Sequence, residues 1–414
     1  MRLSACSAAL VLLFSSNVFA QAPAETPAPP VNAPPVIAAP PAAPPPAAPA
    51  ATVAAPAPAA APAAPAAPAP PPWYSILRFE ALVDSYYQYN FTGSTTDPNQ
   101  PLNTVRNFDI TSNSFSLNFA KVAAQLDVSP ITLRIDLGYG HTGAVINSLS
   151  KGASGLTAMG AGAGASLYGS AFIVEQAFST LALGPLSIDF GKFVTTAGAE
   201  VNEANKNWLY SRSLLFFTIP ILHTGARANY KVNDMVSLQA SVVNGINNDP
   251  DNNGWKTVGL SATVTPISTT SVIVTDYFGK EGAQGATTEG DVKNTLDVVV
   301  SQTLSDKLSL NLNVDYIKLD SAYTVGGALM GHYVLSDALN FSARAEYVKD
   351  KALSFSSSLD GYYYEGTLSA AAPFAGHLEV RAEVRADFCK SGQKVFVGAK
   401  DDEVTGTVAF ISYL

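Results

Sequence analysis

Cysteine is almost missing from this chain: of 414 residues only Cys6 and Cys389 are cysteines, and Cys6 lies in a removable leader. The mature chain therefore cannot close an internal disulfide even in an oxidising compartment, and Cys389 reads as a small residue near a strand end. Histidine is scarce too, and His141, His223, His332 and His377 show no metal-ligand spacing. No nucleophile elbow or phosphate loop occurs, so the expectation is no enzyme, no cofactor and no metal. Long apolar runs are also missing. After the leader the longest, Leu214 to Leu222, spans nine residues and includes Pro220, well short of the ~18 that a membrane helix needs. The formal net charge of −9 leaves no basic footprint for a nucleic-acid partner.

The N-terminus is rich in signals. Arg2 gives a short positive start, Ala8 to Phe14 an apolar run, and Val18-Phe19-Ala20 a small-residue cleavage site, so residues 1–20 read as a secretory signal peptide. Residues 21–74 are Ala/Pro-rich, with 20 of the chain's 28 prolines between positions 22 and 72. Such a segment favours extended polyproline II over a packed core, and the expectation is a disordered periplasmic linker. It reads as a simple spacer or as an arm that contacts peptidoglycan, and composition does not separate the two.

From residue 75 to 414 the chain is a succession of strand-length segments in which apolar and polar residues alternate. Phe79, Ala81, Val83, Ser85, Tyr87, Tyr89 and Phe91 share one face, and Glu80, Asp84, Tyr86, Gln88 and Asn90 the other. Leu378, Val380, Ala382, Val384, Ala386 and Phe388 oppose Glu379, Arg381, Glu383, Arg385 and Asp387 in the same way. One face suits lipid and the other water. Sixteen segments follow this pattern, near 75–91, 113–128, 131–141, 170–183, 185–194, 222–233, 235–245, 256–265, 269–279, 292–305, 307–318, 323–335, 338–350, 361–372, 376–389 and 403–414. The fold class expected is all-β, an antiparallel transmembrane β-barrel of about sixteen strands behind a disordered Ala/Pro-rich segment.

The connections supply independent information. Tight turns at Ser129-Pro130, Gly184-Pro185, Asn233-Asp234, Pro266-Ile267, Ser305-Asp306, Ser336-Asp337 and Pro373 to Gly376 alternate with longer loops, 92–112, 142–169, 195–221, 246–255, 280–291 and 390–402; only 319–322 is brief. A soluble sandwich or solenoid lacks this regular alternation. Short turns should face the periplasm and long loops the outside, which puts both termini in the periplasm. Tyr362 to Tyr364 and Tyr86, Tyr87 and Tyr89 suit interfacial aromatic girdles. Terminal Leu414 departs from the aromatic ending common in membrane barrels.

A cluster of short motifs from Phe172 to Gly245 resembles the β-barrel porin family of OmpL-like proteins. The matching pieces are Glu175-Gln176-Ala177, Gly191-Lys192-Phe193, Gly198-Ala199-Glu200, Ser211-Arg212-Ser213, Pro220, His223-Thr224-Gly225 with Arg227, and Asn244-Gly245. The resemblance implies a porin-like barrel of the cell outer membrane, embedded in its lipid.

A barrel of this strand count encloses water, so the expected function is a channel for passive diffusion of small hydrophilic solutes or ions. By analogy with trimeric porins, loop 195–221 folds into the lumen as a constriction and the barrel forms a homotrimer. That loop carries Glu200, Glu203, Lys206 and Arg212. Alternation aims Arg134, Arg227, Arg344, Arg381 and Arg385 at the lumen, where they either set a field across the pore against the acidic loop or pair with Asp136, Glu346, Glu379, Glu383 and Asp387 to brace the wall. A second function class is an outer-membrane anchor whose Ala/Pro tether binds peptidoglycan or a periplasmic partner. A plugged importer needs roughly twenty-two strands, which this length cannot supply.

Overall fold

The computed structural model describes residues 73–93, 103, 105–149, 171–281, 290–354, 360–391, 395–396 and 400–414. The expected signal peptide, most of the Ala/Pro segment and the Gly/Ala-rich stretch from Gly152 to Gly169 lie outside these residues. Strands run in chain order as β1 (Leu77–Asn90), β2 (Ser114–Val128), β3 (Ile131–Tyr139), β4 (Phe172–Leu183), β5 (Leu186–Val194), β6 (Leu222–Lys231), β7 (Val236–Val243) and β8 (Thr257–Val264). They continue as β9 (Thr270–Glu281), β10 (Asp291–Ser305), β11 (Leu308–Leu319), β12 (Ala322–Ser336), β13 (Leu339–Lys351), β14 (Asp360–Phe374), β15 (Leu378–Ser391) and β16 (Asp402–Tyr413).

Each strand pairs antiparallel with its sequence neighbours, and β1 pairs with β16 to close a sixteen-stranded barrel. Closure places Leu82 against Tyr413 and Tyr87 against Val408, so among the described residues the barrel sheet has no edge strand. The sixteen segments expected from alternation all form strands. Period two also sets the faces. Phe79, Phe115, Phe190 and Leu368 are exposed on the outside, while Asp84, Asp297, Asp315 and Thr295 point inward and are buried. Tight turns and longer connections alternate at the two ends, and Gly184 holds a left-handed φ of +66° in the β4–β5 turn.

Two connections differ from plain external loops. Loop 142–169 opens with a nine-residue helix, α1 (His141–Leu149), whose residues His141 to Ile146 are buried. The segment 105–112, read as part of a surface loop, turns back into the barrel and buries Val105, Arg106, Phe108 and Ile110. Both bury apolar side chains against the inserted loop 195–221: Phe108, Ile110, Ala144, Val145 and Ile146 share one cluster with Ala204, Tyr210, Phe216, Ile221 and Leu222.

Candidate functional site in the barrel lumen

Loop 195–221 lies inside the barrel, and its backbone shows how it is held. A loop buried in a barrel must satisfy its N–H and C=O groups away from bulk water, and here charged wall side chains do it. Glu346 on β13 accepts from the amides of Leu214 and Leu215, both at 2.7 Å. Glu383 on β15 accepts from the amides of Tyr210 and Ser211 at 2.7 and 3.0 Å. Asp297 on β10 and Asn313 on β11 accept from the amides of Gly198 and Ala199 at 2.9 and 3.0 Å. Arginines serve the carbonyls: Arg381 donates to Leu209 at 3.0 Å and Arg385 to the Arg212 carbonyl at 2.6 Å.

The β13 to β15 wall thus clamps the middle of the loop. Arg344 is its centre, reaching Glu200 of the loop at 3.0 Å, Glu365 of the wall at 2.9 Å and the Ser211 carbonyl at 2.7 Å. Beyond β16 the loop meets β1 to β4. Tyr210 donates its hydroxyl to Asp84 at 2.9 Å, Asn202 donates to Glu175 at 2.6 Å, and Glu203 pairs with Lys121. Lys121 also lies 2.7 Å from Asp136 and 2.6 Å from Glu175. Asp136, Glu175 and Glu203 are close enough together to chelate a cation, but the Lys121 ammonium already stands among them, so this chain's own cation balances the cluster. Against Glu203, burial pushes the carboxyl up, but the neighbouring Lys121 and Lys206 charges outweigh it and hold the group below the usual carboxylate range.

Of the residues singled out from sequence, Glu200, Arg344, Arg212, Arg381 and Arg385 come together between loop and wall, and all are buried. Arg212 turns its guanidinium back onto the carbonyls of Val201, Tyr210 and Asn202, which ties the two limbs of the loop together. Arg381 pairs with Glu379, and Arg385 with Asp387 at 2.7 Å. Arg134 and Arg227 stand apart from this group and are only part-buried. Arg134 bridges Asp136 at 2.7 Å and Glu80 at 2.9 Å, whereas Arg227 pairs with Asp189 at 2.9 Å and lies 4.3 Å over the Phe193 ring. Below the loop, Glu80, Lys121, Glu203, Asn205, Lys206 and Leu414 line a cavity of about 30 Å³, room for a water or two.

Pattern reading missed the second inserted segment. Arg106 is fully buried, with Asp387 at 2.9 Å and the Thr405 hydroxyl at 2.8 Å, and Asp109 and Glu403 slightly further away. Asn107 donates to the Ser213 carbonyl at 2.9 Å, and Phe108 packs edge-on to Phe216 with ring centroids 5.7 Å apart. The Arg212 guanidinium sits 5.6 Å over the Phe108 ring, so the two inserted segments lock onto each other. Burial pushes the Asp109 carboxyl up, but the Arg106 and Arg385 charges prevail and hold it low. A faint signal existed in the sequence: Val105, Phe108 and Ile110 are more apolar than an external loop requires.

A closed barrel with an apolar exterior, a charged interior and a loop pinned across that interior defines the porin class of outer-membrane β-barrels. The chain belongs to the family described as "Putative beta-barrel porin-2, OmpL-like", whose model matches residues 76–413. Solved porin structures share the fold at low identity. OprB of Pseudomonas putida superposes with a TM-score of 0.55 at 12% identity, covering 82% of this chain and 94% of its own. The anion-selective porin of Comamonas acidovorans gives 0.53 at 8% identity, covering 82% and 99%. The trimer form of OmpT from Vibrio cholerae gives 0.52 at 15% identity, again covering 82% and 99%. No curated protein sequence matches the chain significantly.

Proposed function

We propose that this porin-family barrel is a narrow diffusion channel for small hydrophilic solutes or ions, with loop 195–221 as its constriction. The observation behind this reading is the arc of polar and charged anchors that pins the loop across the lumen, from Asp297 on β10 through Glu346 and Arg344 on β13 to Lys121 on β2. Any inserted loop needs its backbone satisfied, and doing so with charged wall side chains also holds this one in a single geometry, as a selectivity element requires. The lumen arc on the turn side of the loop stays polar and part-exposed at Gln125, Thr180, Arg227, Asn229 and Gln239, a hydrated vestibule leading to the constriction.

In this reading Glu200, Glu203, Arg212, Arg134, Arg227, Arg344, Arg381 and Arg385 form the charged frame of the passage. Arg134 and Arg227 meet the solute from the vestibule, and the buried set holds the loop in place. The short turns and both termini face the periplasm, and the barrel assembles as a homotrimer like the OmpT form cited above. A second reading, an outer-membrane anchor whose Ala/Pro tether grips peptidoglycan, rests on the composition of residues 22–72. Deleting that segment separates the two, since a channel keeps its conductance and an anchor loses its attachment to the envelope.

The test is single-channel recording of the mature protein in planar bilayers, alone and with Glu200→Gln and Glu203→Gln. Stepwise openings that become larger or noisier in the double variant, with altered ion selectivity, are expected. A folded barrel that never conducts would overturn the channel reading.

A further inference from the structure

The outer face of the barrel is not uniform around its circumference. Among the described residues, every lysine that points outward from a strand lies within two residues of the end bearing the long loops: Lys192, Lys280, Lys318, Lys349, Lys351 and Lys390. At the opposite end the outward positions are apolar or aromatic, as at Tyr333, Leu335, Phe341 and Phe374. Two of the six stand alone on their strands, Lys192 beside Asp249 at 3.1 Å and Lys280 over the Trp255 ring at 4.4 Å. The other four sit together on β11, β13 and β15.

Strand register fixes how they lie. Lys318 opposes Tyr323, which opposes Lys351, and Lys351 opposes Asp360. One step towards the membrane, Lys349 opposes Tyr362, which opposes Lys390. One step further, Tyr347 opposes Tyr364, with ring centroids 5.3 Å apart. The Lys349 ammonium lies 5.2 Å from the Tyr323 ring centre and 5.7 Å from that of Tyr362, so aromatic faces hold it at the surface. Among outward positions at this end of β11 to β15, Asp360 is the one acid against four lysines, with Asp320 in the β11–β12 connection and Asp402 on β16 at the margins.

Directly beneath, the same strands form an apolar hollow of about 580 Å³. Its floor is made of small residues, Gly331, Ala343, Ala345, Gly366 and Ala386, and Leu310, Leu329, Leu368 and Val384 form its rim. Hollow and lysine patch share β11 to β15 and lie about 14–27 Å apart along the strands, four residues from Lys349 to Ala345 and from Lys390 to Ala386 and eight from Lys318 to Leu310, at ~3.4 Å each. A cationic, tyrosine-lined ledge at the membrane interface above an apolar hollow at hydrocarbon depth matches one kind of molecule, with an anionic head and acyl chains.

We propose that this face binds a phosphate-bearing membrane lipid, the phosphates on Lys318, Lys349, Lys351 and Lys390 and the acyl chains in the hollow. Ammonium groups attract phosphate, and the small residues let chains lie against the wall. A second copy pairing through this same face fits less well, because it would bring two lysine patches into one apolar contact, and the proposed trimer then forms through another face.

The full mature protein in detergent, mixed with lipid A as the probe, tests this by native mass spectrometry. Lipid A adducts that survive removal of detergent are expected, and dephosphorylated lipid A should give few. Changing all four lysines to glutamine should weaken the adduct by about tenfold or more, given what each lysine contributes at an anionic surface. Gly366→Leu should also weaken it, and a side chain there meets open space, so the barrel itself is not disturbed. Heat-modified gel mobility confirms that each variant is folded. Equal adducts in wild type and quadruple variant would overturn the proposal, and so would loss of a dimer or trimer mass in Gly366→Leu with lipid binding unchanged.

Discussion

Single carboxylates and guanidiniums inside this barrel act as caps for a loop whose own secondary structure is limited to two short 3-10 turns, Ala204–Lys206 and Leu215–Phe217. Arg344 shows the stakes. It joins Glu200 and Glu365 in a site that water does not reach, so removing it strands two buried carboxylates. Arg344→Ala should therefore cost about 3–5 kcal/mol, the usual penalty for breaking a buried charge pair by deleting one partner. Denaturant unfolding from lipid vesicles measures it, and a loss below about 1 kcal/mol would show that water reaches the clamp and screens it.

Acid should release the same contacts. Asp109 and Glu203 both have their carboxyls held below the ordinary range by neighbouring cations. A depressed folded-state value means that their stabilisation is complete above the unfolded carboxylate value, about 4. It is lost as pH falls through the depressed one. His141, which burial holds down to about 4, adds in the same direction but starts earlier, because below about pH 6.5 the undocked ring takes up a proton that the buried ring does not. The expected outcome is a loop docked at neutral pH whose docking weakens gradually below about pH 6.5, through His141, and is lost below about pH 4, through the carboxylates. Trp208, stacked on His332 at 5.3 Å, reports it by fluorescence in a Trp73→Phe, Trp255→Phe background. Complete release above about pH 6 would show that other groups control docking.

At the scale of elements, strands and loops obey different rules. A strand needs only alternation to place its side chains, and Leu378 to Asp387 reads in sequence as it stands in space. Leu312 belongs to the lipid face at mid-strand on β11. Leu312→Arg should destabilise the barrel by about 2–4 kcal/mol in vesicles, falling if the same change is made near a strand end. Refolding titrations at the two positions check the depth dependence. Loops carry no such period. That 195–221 enters the barrel was expected by analogy, but nothing in the spacing of residues 105–112 or 141–149 announced that they follow it inward. Their apolar residues, Phe108, Ile110, Val145 and Ile146, acquire meaning only beside Tyr210 and Phe216.

For the whole molecule, the strand number and the alternation of tight turns with longer connections were readable because both are one-dimensional properties of the chain. So were the arginines aimed inward, since a period of two determines facing without knowledge of the partner. What those arginines touch was not readable. Arg344 finds Glu200 across 144 positions and Arg385 finds the Arg212 carbonyl across 173, and such contacts exist only once sixteen strands have closed and set the width of the lumen. Closure likewise brings Lys318, Lys349, Lys351 and Lys390 onto one ledge above one hollow. The sequence by itself determined which residues face lipid and which face the lumen, because the pleat leaves each side chain one of two sides. Only the tertiary structure decided which inward charges meet the loop and which outward lysines stand together, because those are distances across a closed surface that no local period encodes.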